Sequence, residues 1–254
     1  MKLNQALIQS ALPYGKVKVF AEIDSTNEYL LTHYHLLPSG SLCLAESQTA
    51  GRGRRGRQWY SPNSQNLYFS MLWQYNIHSL AQISSLSLVV ALIIAETFEQ
   101  LGVPDIQIKW PNDIYYQGKK MGGILIESRV DGDALYLVIG IGLNLAMKQI
   151  DENVVTQPWA DLSEFAFDRN QLAATLAERL QQMLIAFPYT PFREYLARWQ
   201  QFDLYFQRPV KLLTEQGDIH GISQGINDKG ELLLQQGEQL TSFSIGEMSL
   251  RPDV

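Results

Sequence analysis

Apolar and polar positions alternate along Val17-Lys18-Val19-Phe20-Ala21-Glu22-Ile23, the two-residue period of a strand with one face in a core. Leu42-Cys43-Leu44-Ala45-Glu46 reads as a second strand, and Leu67, Tyr68, Phe69, Met71 and Leu72 mark a third, with an irregular link around Tyr75 to Ser79. From Ser84 to Leu101 apolar residues lie on nearly all sides and Gly102 follows, so a buried helix ending in a glycine is expected. Ile106 to Trp110 predicts a strand broken by Pro111, with Asn112 and Asp113 in the turn and Ile114-Tyr115-Tyr116 as its continuation. After a bend at Gln117-Gly118, Met121 to Glu127 and Ala134 to Asn144 read as two more strands around a polar tip, Ser128 to Asp133. The middle of the chain is therefore an antiparallel meander whose polar residues collect at strand ends.

Downstream, Asp168 caps a helix expected over 169–187; Pro188 and Pro191 end it, and 192–201 forms another. From Tyr205 the pattern changes to short strands separated by turn signals such as Asn227-Asp228-Lys229-Gly230. The expected organisation is α+β with a mixed, mainly antiparallel sheet: a large domain over 1–203 and a small β module over 204–254.

The chain has 254 residues and a net charge of −6, with 18% charged and 46% hydrophobic residues. That suits a globular protein, and the acidic balance weighs against general nucleic-acid binding, which wants a basic face. The apolar run 86–95 is about half of what a spanning helix needs, so no membrane partner is expected. Cys43 is the only cysteine; it cannot form an intrachain disulfide, and a reducing cytoplasm is expected. Its apolar neighbours make it a buried strand residue rather than a nucleophile.

Against this acidic background stands Gly51-Arg52-Gly53-Arg54-Arg55-Gly56-Arg57, with four arginines, three glycines and nothing to bury. Alone it should be mobile. Its glycines allow backbone N–H groups to converge on an anion, and its guanidinium forks suit phosphate and carboxylate. A polyanionic small molecule, a nucleic acid, or no ligand at all each fits these seven residues. Ser25 and Glu28 in Asp24-Ser25-Thr26-Asn27-Glu28 have capping-box spacing, and the same polar groups suit a polar ligand at a helix start. Gly122, Gly123, Gly140 and Gly142 lie inside strands, where glycine costs stability unless a helix or a flat ligand comes close. Lys120 beside them is either an exposed lysine or a counter-ion for a carboxylate. Asn112 and Asp113 are turn formers, or contacts for phosphate and a magnesium ion.

Taken together, Gly51 to Arg57 with Gln58-Trp59, Lys109-Trp110-Pro111-Asn112-Asp113, Lys120 with Gly122-Gly123-Ile124-Leu125, and Gly140-Ile141-Gly142-Leu143-Asn144 resemble the biotin protein ligases in order and interval. The likeness runs from about Val19 to the C-terminus. It implies a class II synthetase-like catalytic domain with a small SH3-like β-barrel. It also implies the activation of biotin by MgATP to biotinyl-5′-AMP and transfer to a lysine of the biotin carboxyl carrier protein of acetyl-CoA carboxylase. By motif match, Ser25, Thr26, Asn27, Gln48, Gly51, Gly53, Trp59, Gly122, Gly140 and Gly142 would surround biotin. Arg52, Arg54 and Lys120 would act on its carboxylate and the phosphate as the catalytic group. Arg54, Arg57, Asn112, Lys120, Asn144 and Trp159, with the loop 147–159, would take ATP, Asp113 would take magnesium, and Arg251 is a further candidate. About 20 residues precede the first catalytic strand, too few for the winged helix of the regulatory members, so no repressor activity and no nucleic-acid partner are expected. An edge strand within 128–140 is a candidate for pairing in a homodimer. A lipoate-type acyl-adenylating ligase is the alternative.

Overall fold

The structure is a computed structural model that describes residues 2–63, 66–77, 83–147, 155, 157–246 and 248–253. The chain opens with α1 (Gln5–Ser10), β1 (Val17–Phe20), α2 (Thr26–His33), β2 (Leu42–Ala45) and β3 (Leu67–Asn76). Next come α3 (Leu86–Gln100), the hairpin β4 (Ile106–Lys109) and β5 (Asp113–Tyr116), and the long strands β6 (Lys119–Asp131) and β7 (Ala134–Leu143). Two helices, α4 (Arg169–Ala186) and α5 (Leu196–Phe202), lead to β8 (Pro209–Thr214), β9 (Gly217–Ile226), β10 (Leu232–Gln236), β11 (Gln239–Phe243) and β12 (Ser249–Pro252). Two compact units result: 1–81 with 119–188, and 82–118 with 189–254.

In the first unit the strands run in the order β1-β2-β3-β7-β6. β1 and β2 are parallel, and the remaining pairs are antiparallel. Helix α2 covers this sheet through Leu30, which packs with Cys43, Leu72 and Val138 in a cluster without exposed surface. Burial pushes the Cys43 thiol well above its ordinary range, so it is an inert core group. Ser25 caps α2 by accepting from Glu28 N at 3.4 Å. The other half of the expected capping box is absent, because the Glu28 carboxylate turns to Arg52, 2.7 Å away. Asp168 caps α4 by accepting from Asn170 N at 2.8 Å. Strand β3 extends to Asn76 where an irregular link was expected; positions 78–82 lie outside the described residues. Helix α1 has no counterpart in the sequence reading: Asn4 caps it through Ala6 N and Leu7 N, and Ile8 buries its apolar edge.

In the second unit α3 buries most of its faces, including Leu88, Val89, Leu92 and Phe98. Among the described residues, 83–100 is the one helical stretch long and apolar enough to cross a membrane, and it is spent on this core. Trp110 is buried, and its Nε1 donates to Gly230 O at 3.1 Å. Only glycine fits at 230, since φ is +78° and a Cβ would lie 2.8 Å from a Leu88 methyl. β8–β12 form an antiparallel sheet in the order β11-β10-β9-β8-β12. No closed barrel forms among the described residues; β11 and β12 are its edges.

Asp203, directly after α5, accepts from Tyr205 N at 2.9 Å. Burial raises its carboxyl pKa from 3.8 to about 6, against the opposing pull of that N–H and of Arg208. The folded state then holds a proton between about pH 4 and pH 6 that the unfolded chain has released. Stability from this group is therefore present at pH 4 and is lost as pH rises to 6. In urea unfolding at pH 4 and pH 7, the wild type should lose on the order of 2 kcal/mol more than Asp203→Asn across that interval. Equal losses would refute the assignment.

Candidate active site

The arginine-rich segment is closed as a hairpin. Gly53 N donates to Arg57 O at 2.7 Å, and Trp59 N donates to Gly51 O at 2.9 Å. Arg55 takes the left-handed conformation with φ 59°, and Gly56 follows with φ 69°. These bonds close the turn, and its residues line a groove of about 550 Å³. Leu125 and Glu127 of β6 form the opposite wall. Arg52 reaches across to Glu28 at 2.7 Å and to Glu127 at 2.9 Å. These two carboxylates already hold one of the guanidinium groups assigned to an anion. Both contacts are partly exposed and so are individually weak, which leaves Arg52 able to exchange them for a ligand.

The start of α2 and the sheet build a connected polar network. Gln48 Oε1 accepts from Thr26 N at 2.9 Å and from Thr26 Oγ1 at 3.1 Å. Gln48 Nε2 donates to Ser61 Oγ at 2.9 Å. Ser70 Oγ donates to Asn27 Oδ1 at 2.6 Å and lies 2.7 Å from Thr26 Oγ1. Asn27 Nδ2 donates to Glu127 Oε2 at 2.8 Å and lies 3.3 Å from Leu125 O. Ser25, Thr26 and Asn27 are all buried. Such a network can trade internal bonds for those of a small polar ring.

The strand glycines make room for two side chains of the protein itself. A Cβ at Gly140 would stand 2.3 Å from Asn27 Oδ1, and one at Gly142 would stand 2.4 Å from Trp59 Nε1. Gly123 faces the other edge of Trp59 and the Lys120 side chain, at 3.2 and 3.6 Å from its hypothetical Cβ. Gly122, named alongside it, is buried and pairs with Leu143. Lys120 Nζ lies 5.4 Å from the centre of the Trp59 ring. The Trp59 Nε1 hydrogen is buried and meets no acceptor among the described residues. Trp59, Lys120, Gly123 and Gly142 therefore meet in one cradle. Gly51 admits no side chain either, with Trp59 O 2.5 Å from its hypothetical Cβ.

Asn144 follows β7. Its Nδ2 donates to Ala160 O at 3.2 Å, and its Oδ1 is buried without a partner among the described residues. Trp159 pairs through its backbone with Lys120. Of the loop 147–159, positions 148–154 and 156 lie outside the described residues. Asn112, Asp113 and Arg251 belong to the second unit. There Asp113 sits 3.1 Å from the buried Lys109 ammonium, which also donates to Tyr115 OH at 3.2 Å. No group of three His, Cys, Asp or Glu suited to a metal occurs among the described residues. Asp113 offers one carboxylate beside a cation, so magnesium there would depend on phosphate oxygens for most of its shell.

Three participants escaped the sequence reading. Ser70 hides in the apolar run of β3, Ser61 lies in a loop, and Glu127 ends a strand motif. A serine flanked by Phe69 and Met71 in a buried strand is the one signal that was available.

The sequence pattern of the biotin/lipoate A/B protein ligase family matches residues 19–144, and that of the biotin protein ligase C-terminal domain matches 205–251. The chain is 45% identical to the bifunctional ligase/repressor BirA of Escherichia coli over 98% of its own length and 78% of that protein's. It is 34% identical to a biotin--[acetyl-CoA-carboxylase] ligase of Paracoccus denitrificans, covering 85% of this chain and 93% of the relative. It also resembles the solved biotin protein ligase from Aquifex aeolicus in complex with biotin and ATP, with a TM-score of 0.82 and 33% identity over 93% of this chain and 99% of that one. With both segments present and in order, this chain belongs to the biotin/lipoate A/B protein ligase family.

Proposed function

We propose that this protein is a biotin–[acetyl-CoA-carboxylase] ligase, using ATP and magnesium. A biotin carboxylate oxygen attacks the α-phosphorus of ATP, a P–O bond forms and pyrophosphate leaves. The ε-amine of a carrier-protein lysine then attacks the acyl carbon, AMP departs and the amine loses a proton. The observation that carries this reading is the largely buried Thr26–Asn27–Gln48–Ser70 network standing beside a glycine–tryptophan cradle with Lys120 at its rim. The ureido ring of biotin presents donors and an acceptor that can replace those internal bonds. A lipoyl dithiolane offers no N–H or C=O to these groups, so it would gain none of the hydrogen bonds that favour a ureido ring.

Lys120 would hold the carboxylate and stabilise charge as the mixed anhydride forms. Arg52 and Arg54 would offset repulsion between carboxylate and polyphosphate, and with Gly53 they would screen the adenylate from water. Asn144 Oδ1 would accept from the adenine amino group, with Trp159 as its stacking partner. Arg57, Asn112 and Asp113 would serve phosphate and magnesium.

The test is incubation with biotin and MgATP, followed by mass analysis for retained biotinyl-adenylate, with lipoate as the control. Retention with lipoate alone would reject the assignment. In the same assay Arg54→Ala should release the intermediate on the order of tenfold faster, equal to about 1.4 kcal/mol. Unchanged release would remove Arg54 from that role.

A further inference from the structure

We infer that Asn66, together with Asp161, is a positioning residue for the nucleotide half of the site. Asn66 lies just before β3, is fully buried, and belongs to none of the segments discussed above. Its Oδ1 accepts from Leu145 N at 3.0 Å and from Ala146 N at 3.1 Å. Its Nδ2 donates to Tyr68 OH at 3.2 Å and reaches Met147 Sδ at 3.2 Å. Its carbonyl accepts from Arg169 Nη1 at 2.9 Å. Arg169 in turn pairs with Glu46 at 2.8 Å, and the other Glu46 oxygen accepts from Leu3 N at 2.7 Å. A buried ion pair thus anchors Asn66, and Asn66 anchors the chain immediately after Asn144.

Asp161 completes the clamp from the other side. It accepts from Met147 N at 2.7 Å, and its second oxygen binds Ser163 through N at 3.2 Å and Oγ at 2.8 Å. Leu162 N donates to Asn144 O at 3.2 Å, and Ala160 N donates to Lys120 O at 2.9 Å. Asn144 therefore sits between two stretches of chain that Asn66 and Asp161 hold together. Its own Oδ1 is a buried acceptor without a partner among the described residues. A strand normally runs out into a solvated loop. Here a buried amide some 80 residues away in sequence holds two consecutive N–H groups, and that arrangement fixes the direction of the Asn144 side chain. No bond links Asn66 to Ser25, Thr26, Asn27 or Gln48 among those above.

The inference rests on the function proposed above, so biotin-dependent ATP–pyrophosphate exchange by the wild type is measured first. Asn66→Ala should raise KM for ATP at least tenfold while the biotin Kd, read by calorimetry without nucleotide, moves less than twofold. If Asn66→Ala does not fold, Asp161→Ala carries the test, with at least a fivefold rise in KM for ATP and the same constancy toward biotin. A folded variant with unchanged KM for ATP, or with biotin Kd rising in step, overturns the positioning role while leaving the ligase reading in place. A wild type without biotin-dependent exchange overturns both.

Discussion

Lys120→Gln should lower the rate of biotin-dependent ATP–pyrophosphate exchange by 10²–10³-fold, the order of effect of one preorganised charge-stabilising donor. The side chain stands at the rim of the cradle, with Nζ 5.4 Å from the centre of the Trp59 ring and 3.7 Å from where a Gly123 Cβ would sit. Two anions must meet for the adenylate to form, and an ammonium is most needed where their charges converge. Glutamine is one atom shorter, keeps a hydrogen-bond donor and removes the charge, so the loss should fall on kcat, with thermal unfolding unchanged. Arginine should not rescue, because its planar fork places its charge differently from a compact ammonium. Pre-steady-state exchange on folded Lys120→Gln decides the matter; a rate within threefold of the wild type would exclude Lys120 from the chemistry.

Gly140→Ala should weaken biotin binding by 10–100-fold, or about 1–3 kcal/mol, with a smaller effect on ATP. The added methyl would meet Asn27 Oδ1 at 2.3 Å. Asn27 cannot yield cheaply, since its oxygen accepts from Ser70 at 2.6 Å and its nitrogen donates to Glu127 at 2.8 Å. Moving it disconnects the network at its centre and leaves buried groups unpaired. Calorimetric titration with biotin measures the change. Undiminished affinity would mean that Asn27 does not contact the ligand.

The two substitutions probe features that differ in how visible they are along the chain. The glycines at 140 and 142 announce a close approach, because a strand interior loses stability for nothing else. What approaches was not legible: an amide oxygen in one case and an indole edge in the other. The capping box at Ser25 was half legible. The Ser25 hydroxyl does cap α2, but Glu28 is drawn off by Arg52, an interaction that no local rule contains. The arginine-rich segment was read as a mobile loop because its composition buries nothing, and its internal bonds were not legible. The structure shows it closed by backbone bonds from Gly53 and Trp59. Helix α1 was missed because a six-residue element has little period to show, and its stability comes from the Asn4 cap and from packing at Ile8.

By itself the sequence determined the local elements of this protein: the strand periods, the Asp168 and Ser25 caps, the glycine positions and the concentration of positive charge on an acidic chain. Each of these depends on neighbours within about one or two turns, which is the range over which side-chain spacing carries information. Only the tertiary structure decided which distant groups meet: Asn27 with Ser70 and Glu127, Arg52 with Glu28, and Asn66 with Leu145 and Ala146. Periodicity says which face a residue shows, whereas pairing across a sheet depends on strand order and register, and those emerge when the whole core is buried at once.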